Sequence, residues 1–435
     1  MTQGKDLKFA LFTAFSPGGP LGVPWHYPGS VDFNYLSLDD QTELARKLEA
    51  ARFDAIFWAD FSGVHDTYKG SADVAIRDAV QFPIADPLVL AAALAGRTEH
   101  IGLACSANMV QQNPYNFARR IGTLDHLSNG RAAWNIVTSF QPSAWINAGF
   151  DTMASHGNRY HRAAEYVEVV EKLLNQSWED DAVVRDVERR IYADPSKVHP
   201  IAHEGEFYRV PGIGLTEPSP QRMPVKFQAG SSKDGRNFAA ANAEAMFIGA
   251  NSPNGATLLI EDMTDRLAKV GRKREDMLFL QFMPIMVASS EAEAKKINAD
   301  LDEEAQSEAS VAFYSSSLGF DLSNIDIDRP IEELDTESSQ GSMRSLLESI
   351  PDKAWTIRDM IGNTQRNRMI GTPEYIADEL EKWRDAGIDG INYAPLSGLR
   401  GLDDFVENVV PVLQERGLMQ REYRSGTLRD KLFRS

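Results

Sequence analysis

"IGLACSANMVQQNPYNFARRIGTLDHLSNGRAAWNIVTS", residues 101–139, decides the fold. Two apolar runs, 101–109 and 131–139, flank a segment whose apolar residues recur at helical spacing. Runs this short and this apolar suit strands buried on both faces, so the stretch reads strand, helix, strand. The same alternation extends in both directions. A strand is expected over 8–16, a helix over 37–53 opened by Ser37, and a strand at "DAIFWAD", 54–60. "DPLVLAAALAGRT" (86–98) reads as helix, and another helix begins within 155–174. Then come "VKFQAG" (225–230) with a helix from about 233, "AMFIGA" (245–250) with a helix over 253–269, and "LFLQFMPIMVA" (278–288) with a helix from 290. A helix at 372–387, strand "INYAPL" (391–396) and a helix at 403–417 complete the series.

Strands alternating with helices imply a parallel sheet, and eight such units closing once imply a (β/α)8 TIM barrel, an α/β fold. The surplus length falls in four segments that break the rhythm, about 61–85, 140–155, 179–224 and 306–371. The last carries "DEEAQSE" and "DIDRPIEELDTESSQGS", and reads as a solvated excursion or a lid, since long loops are usually one or the other.

Bulk composition narrows the function. The chain has 435 residues, 43% hydrophobic and 25% charged, which is ordinary for a soluble globular protein. Its 63 acidic against 45 basic residues leave a net charge of −18. Nucleic acids and anionic membranes select basic surfaces, so neither is an expected partner. A single cysteine, Cys105, excludes internal disulfides and multi-thiolate metal sites and fits a cytoplasmic location. No stretch has the length of a membrane span, and the N-terminus lacks the apolar segment of a secretion signal.

A barrel places chemistry at the C-terminal ends of its strands. Those ends carry Asp60, then Ser106 and Asn108, then Asn135, Thr138 and Ser139, then Gly230, Ser231 and Ser232. Paired carboxylates, Ser/His/Asp sets and His-rich metal clusters are missing from them. Hydroxyls and amides without a strong acid–base pair suggest that a bound cofactor carries the reaction. "AGSSKDGRNFAAANAEA" resembles a phosphate seat, with small residues, two hydroxyls and the free N–H groups of a helix start. The same Gly-Ser-Ser also reads simply as a helix N-cap. In "SHGNRYHRAAEYVEVVEKLL" (155–174), His156 and Tyr160 share a helix face at i, i+4. His156 and His161 stand about 140° apart around the axis, unlike a zinc helix. The His156–Tyr160 pair therefore suits a polar or anionic ligand, and His161 reads as a partly exposed helix residue.

The chain resembles flavin-dependent monooxygenases of the bacterial luciferase-like superfamily. More closely, it resembles the branch containing the nitrilotriacetate, EDTA and dibenzothiophene-sulfone monooxygenases. The resemblance rests on "FDAIFWAD", "NPYNFARRIGTLDHLSNGRAAWNIVTS", "HGNRYHRAAEYVEVVEKLL", "HEGEFYRVPGIG", "SPQRMPVKFQAGSSKDGRNFAA", "GTPEYIADELEKWRDAGIDGINYAP" and "FVENVVPVLQERGL", in order over about 8–430. It implies one barrel domain over 1–435 with a C-terminal extension. It implies FMN as cofactor, contacted by Asp60, Ser106, His156, Tyr160, Ser231 and Ser232, with Tyr160 and Ser231 toward the phosphate. Asn135 and Ser106, or Thr138, fall where the family faces the flavin ring and oxygen reacts. Reduced FMN is expected from a separate NAD(P)H:flavin reductase. With O2 it oxygenates a small organic substrate, commonly breaking a C–N, C–S or C–halogen bond. A homodimer or homotetramer is expected. The segment "GVPWHYPGS" (22–30) departs from the family pattern, so the substrate side is not carried over. A deazaflavin-dependent oxidoreductase of the same barrel class and a non-catalytic flavin-binding barrel remain the alternatives.

Overall fold

A computed structural model describes residues 6–17, 25–26, 33–304, 307–331, 355–363, 368–396 and 398–433. Eight strands occupy the expected places: β1 (Lys8–Ala14), β2 (Ala55–Ala59), β3 (Gly102–Asn108), β4 (Ala132–Val137), β5 (Val225–Gln228), β6 (Ala245–Ile248), β7 (Leu278–Val287) and β8 (Gly390–Pro395). All pair in parallel, in the order β6-β5-β4-β3-β2-β1-β8-β7, and β7 returns to β6. The sheet therefore closes as a (β/α)8 barrel. A short strand the sequence reading missed, Met369–Gly371, extends the edge of β7.

Side chains alternate between the two faces of a strand. Ala10, Ala55, Phe57, Ala59, Ala104, Ala133, Phe227, Phe247 and Leu280 form one cluster in the lumen. Phe12 stacks on Phe57 at 5.4 Å, Phe57 meets Phe247 at 4.4 Å, and Phe247 stacks on Phe227 at 5.2 Å. The barrel is thus filled, and this aromatic layer is the floor of its C-terminal mouth. Small alanines on β2, β3 and β4 leave room for those rings.

The helices cover the outside: α1 (Leu38–Ala50), α2 (Pro87–Ala95), α3 (Pro114–Leu127), α4 (His156–Glu171), α5 (Lys233–Asn242), α6 (Pro253–Lys269) and α7 (Glu291–Glu304). Each buries an apolar stripe. Phe117 of α3 and Tyr166 of α4, for example, pack on Trp134 of β4 at 4.6 and 6.0 Å. The N-terminal end of the barrel is plugged by the terminal helix Leu428–Phe433, whose Leu428 and Leu432 join the lumen cluster. The Leu428 N–H donates to the Gly130 carbonyl at 2.8 Å, and Lys431 Nζ to that of His100 at 2.9 Å. Arg429 pairs with Glu244 at 2.6 and 3.0 Å. Each of these three partners lies just before a barrel strand.

The four interruptions differ from plain loops. Segment 140–155 contains the helix Pro142–Asn147, and 179–224 folds two small antiparallel hairpins, 183–193 and 203–210. The "HEGEFY" hairpin is held by Glu165 of α4, which accepts from the Phe207 and Tyr208 N–H groups and pairs with His203. A Cβ at Gly205 would strike that carboxylate, which explains the glycine. The expectation of a solvated excursion at 306–371 is corrected for the described part. Helix α8 (Glu308–Leu318) and its sequel bury Tyr314, Leu318, Leu322, Ile331, Trp355 and Ile357 in a core of their own. Glu308 docks this unit onto segment 61–85 through Lys69 at 2.8 Å and Arg77 at 3.0 Å. The stretch 332–354 with most of the acidic tract, and all of "GVPWHYPGS" but Trp25 and His26, lie outside the described residues.

Candidate active site

The C-terminal mouth gathers most of the expected residues. Ser106 and Asn135 face each other across the β3–β4 register, two positions beyond the lumen residues Ala104 and Ala133, so both point into the barrel. The Asn135 amide Nδ2 donates to Ser106 Oγ at 2.9 Å. Its carbonyl oxygen Oδ1 is buried and has no hydrogen-bond partner. A purely structural buried amide is normally satisfied at both ends. The Asn135 carbonyl is thus an acceptor left open beside a hydroxyl, above the aromatic floor.

The loop after β5 meets α4. Tyr160 packs half-buried against it, and its hydroxyl bonds the side chains of Ser232 and Thr138. Burial raises the Tyr160 phenol above its ordinary value, so it stays protonated and can donate. Gly230 and Gly235 lie opposite: a Cβ would come within 2.7 Å of that hydroxyl at Gly230 and within 2.8 Å at Gly235. Bare backbone, a phenol and the first turn of the ten-residue helix α5 thus form one small cradle. It suits a phosphate, which helix N-termini bind through free N–H groups and the axial dipole. Ser232 is also the N-cap of α5, its Oγ accepting from the Gly235 N–H at 3.0 Å. The cap and ligand readings of Gly-Ser-Ser therefore overlap in one residue. Ser231 has a backbone role, its carbonyl accepting from Arg236 Nε at 3.0 Å.

His156 opens α4 as expected, with Nδ1 3.3 Å from Asp234 Oδ2 and its ring 5.2 Å from that of Tyr160. It braces the start of α5 rather than standing free. His161 points away beside Glu206, well exposed, in agreement with the sequence reading. Asp60 lines a cavity of about 480 Å³ that reaches the mouth at Ser106, with Phe61, Ser62, Ala85 and Gln111. Burial pushes its carboxyl up to about 6, against a weak bond from Gln111 at 3.5 Å. Among the described residues, no three His, Cys, Asp or Glu side chains are placed to share a metal ion.

Sequence reasoning passed over two residues at the rim. His65 is buried, with Nε2 2.9 Å from Gln81 Oε1, and its Nδ1 has no partner. Gln141 accepts from the Gly63 N–H at 3.2 Å, while its Nε2 has none. Both lie in segments that broke the strand–helix rhythm, the only signal the sequence offered.

The Luciferase-like monooxygenase family model matches residues 8–390. Dimethyl-sulfide monooxygenase of Hyphomicrobium sulfonivorans is 40% identical, over 94% of this chain and 86% of that protein. Long-chain alkane monooxygenase of Geobacillus thermodenitrificans is also 40% identical, over 94% and 90%. Nitrilotriacetate monooxygenase component A of Aminobacter aminovorans is 36% identical, over 99% and 97%. Two crystal structures share the whole architecture. Long-chain alkane monooxygenase superposes with a TM-score of 0.88 at 38% identity, covering 100% of this chain and 96% of its own. Riboflavin lyase with modified FMN and riboflavin superposes with 0.90 at 32% identity, covering 99% and 96%. With eight parallel strands, a polar mouth and matches along nearly its full length, this chain belongs to the luciferase-like monooxygenase family.

Proposed function

We propose that the protein is the oxygenase component of a two-component system, taking reduced FMN from a separate NAD(P)H:flavin reductase and using O2 to oxygenate a small organic molecule, with cleavage of a C–N, C–S or C–halogen bond. The observation that carries this reading is the pairing of two features at one mouth. One is the cradle of Gly230, Gly235, Tyr160 and Ser232; the other is the orphaned Asn135 carbonyl beside Ser106. The name component A, borne by the nitrilotriacetate relative, supports a partner reductase. The modified FMN in the riboflavin lyase structure supports the cofactor.

Bound reduced FMN would supply the electrons that activate dioxygen. The chain's own residues would hold and shield it. Tyr160 and the first turn of α5 would take the phosphate, with Ser231 and Ser232 framing the loop. His156, tied to Asp234, keeps that loop and α4 in register. Asp60, Ser106 and Asn135, with Thr138 just past the end of the same strand β4, would line the rest of the site, Asn135 being steadied by Ser106. The aromatic layer below excludes water from that side.

The test is a reconstituted assay with FMN, NADH and a flavin reductase, screened over amines, sulfones and haloaromatics for O2-dependent products. Product that needs both FMN and the reductase supports the proposal. Bleaching of bound FMN by NADH alone would overturn the two-component reading. Hydride transfer from a reduced deazaflavin without O2 uptake would favour the oxidoreductase alternative.

A further inference from the structure

Three of the buried polar atoms that lack any partner sit on neighbouring loops at the rim of the mouth: Ser16 Oγ, His65 Nδ1 and Gln141 Nε2. They follow β1, β2 and β4. Each residue is almost wholly enclosed, with exposures of 6%, 1% and 2%. The loops are stitched together. The Ala85 N–H donates to the Phe15 carbonyl at 2.9 Å, the Gly63 N–H to Gln141 Oε1 at 3.2 Å, and the Val64 N–H to Ser143 Oγ at 3.0 Å. The described part of the 306–371 insertion packs on the loop after β2. The Phe313 ring lies 5.2 Å from that of His65, and the Thr67 N–H reaches Ser316 Oγ at 3.4 Å. The cavity beside Asp60 and Ser106 is walled by two of these loops, those after β2 and β4, at Ser62, Ala85 and Ala144.

The chemistry of the three atoms is specific. With Gln81 Oε1 accepting from Nε2–H, His65 presents Nδ1 as a bare acceptor. Gln141 Nε2 presents N–H donors, and Ser16 can do either. Leaving such atoms unmatched inside a protein is costly and rare, and three on neighbouring loops call for a common explanation. An alkane or a dialkyl sulfide would match none of them.

Resting on the monooxygenase reading above, we propose that Ser16, His65 and Gln141 form a recognition patch for the substrate's head group, and that this head carries an acceptor and a donor side by side, as in a carboxamide or a carboxylate flanked by N–H or O–H. The substrate class therefore differs from what the dimethyl-sulfide and alkane relatives are named for. The patch fixes orientation, and the oxygen-accepting end points to Asn135.

The experiment uses the full chain with FMN and a flavin reductase. Thioethers and secondary amines bearing carboxamide, α-amino acid or α-hydroxy acid heads are compared with alkanes and dialkyl sulfides of equal length. Wild type, Gln141→Leu, His65→Phe and Ser16→Ala are assayed for product and hydrogen peroxide per flavin oxidised. The expected result is product from the head-bearing series alone. KM should rise tenfold or more in Gln141→Leu and His65→Phe, with kcat less affected. FMN affinity should be unchanged; Tm should stay close to wild type in Ser16→Ala, and in the other two the removal of an unmatched atom is offset by the loss of the Gly63 and Gln81 hydrogen bonds. Ser16→Ala, the mildest change, guards against misfolding of the others. Equal turnover of the apolar series, unchanged KM in all three variants, or no product from either series while reduced FMN binds and oxidises would each overturn the patch. Failure to bind FMN at all would instead overturn the monooxygenase reading.

Discussion

Replacing Asn135 by leucine separates a core amide from an active-site amide. The side chains are of similar size, so the substitution tests polarity. Wild type carries a buried Oδ1 without a partner, a penalty of about 1–3 kcal/mol. Leucine removes it and adds apolar burial in a lumen already lined by Ala104, Ala133 and Phe227. Against this stands the Nδ2–Ser106 bond of 2.9 Å, about 0.5–1.5 kcal/mol, and a Ser106 hydroxyl left without that partner, a further 1–3 kcal/mol. The gains and losses nearly cancel, so Asn135→Leu should keep wild-type stability within about 1–2 kcal/mol. Function should not survive as well. FMN should still bind, since the phosphate cradle lies on other loops, but flavin oxidation should run to hydrogen peroxide instead of product. Urea unfolding, FMN titration and the peroxide-to-product ratio measure the three quantities. Destabilisation beyond about 3 kcal/mol together with unchanged coupling would show that Asn135 serves the core, and would refute the reasoning.

Gly230→Ala places a methyl 2.7 Å from the Tyr160 hydroxyl and 2.8 Å from Gly235 Cα, an overpacking of roughly 1–3 kcal/mol. FMN affinity should fall about tenfold or more while riboflavin affinity hardly moves, and equal losses for both would remove the phosphate from this loop. Asp60 has its folded pKa raised by burial to about 6, above the ordinary 3.8, so the folded state takes up a proton more readily than the unfolded one. Its ionised form weighs against folding above pH 6, and that weight is relieved as pH falls from about 6 toward 4. Asp60→Asn should thus gain stability over wild type at pH 8, by at most about 3 kcal/mol, and lose that advantage at pH 4; a pH-independent difference would contradict the raised pKa. Deleting the chain from Leu428 onward unplugs the lumen and exposes apolar surface that Leu428 and Leu432 cover, which should lower the unfolding free energy by about 3–6 kcal/mol. An unchanged urea midpoint would show that the plug is dispensable.

The eight strands were legible because each is a short apolar run between helices with clear starts. Asn113-Pro114 and Thr372-Pro373 begin helices where the sequence reading placed them. Ser106 and Asn135 were legible as strand ends, although nothing in the sequence showed that they touch, since that depends on the β3–β4 register. Tyr160 and the Gly-Ser-Ser loop lie 70 residues apart and meet because β5 is the neighbour of β4. Three features were not legible. The hairpins of 179–224 are held by side-chain latches such as Glu165 rather than by periodic burial. The terminal plug, Leu428–Phe433, is only six residues long, too short for a helical period to mark it, and nothing in it shows the lumen it fills. His65 and Gln141 matter through missing partners, and a sequence cannot show a missing partner.

The measurement closest to the central claim is mass spectrometry of the product formed under 18O2, with FMN kept reduced by a separate reductase. The account predicts one labelled oxygen atom in the product and none when the flavin or the reductase is omitted. Product oxygen drawn from water, or turnover that continues in the absence of O2, would contradict it.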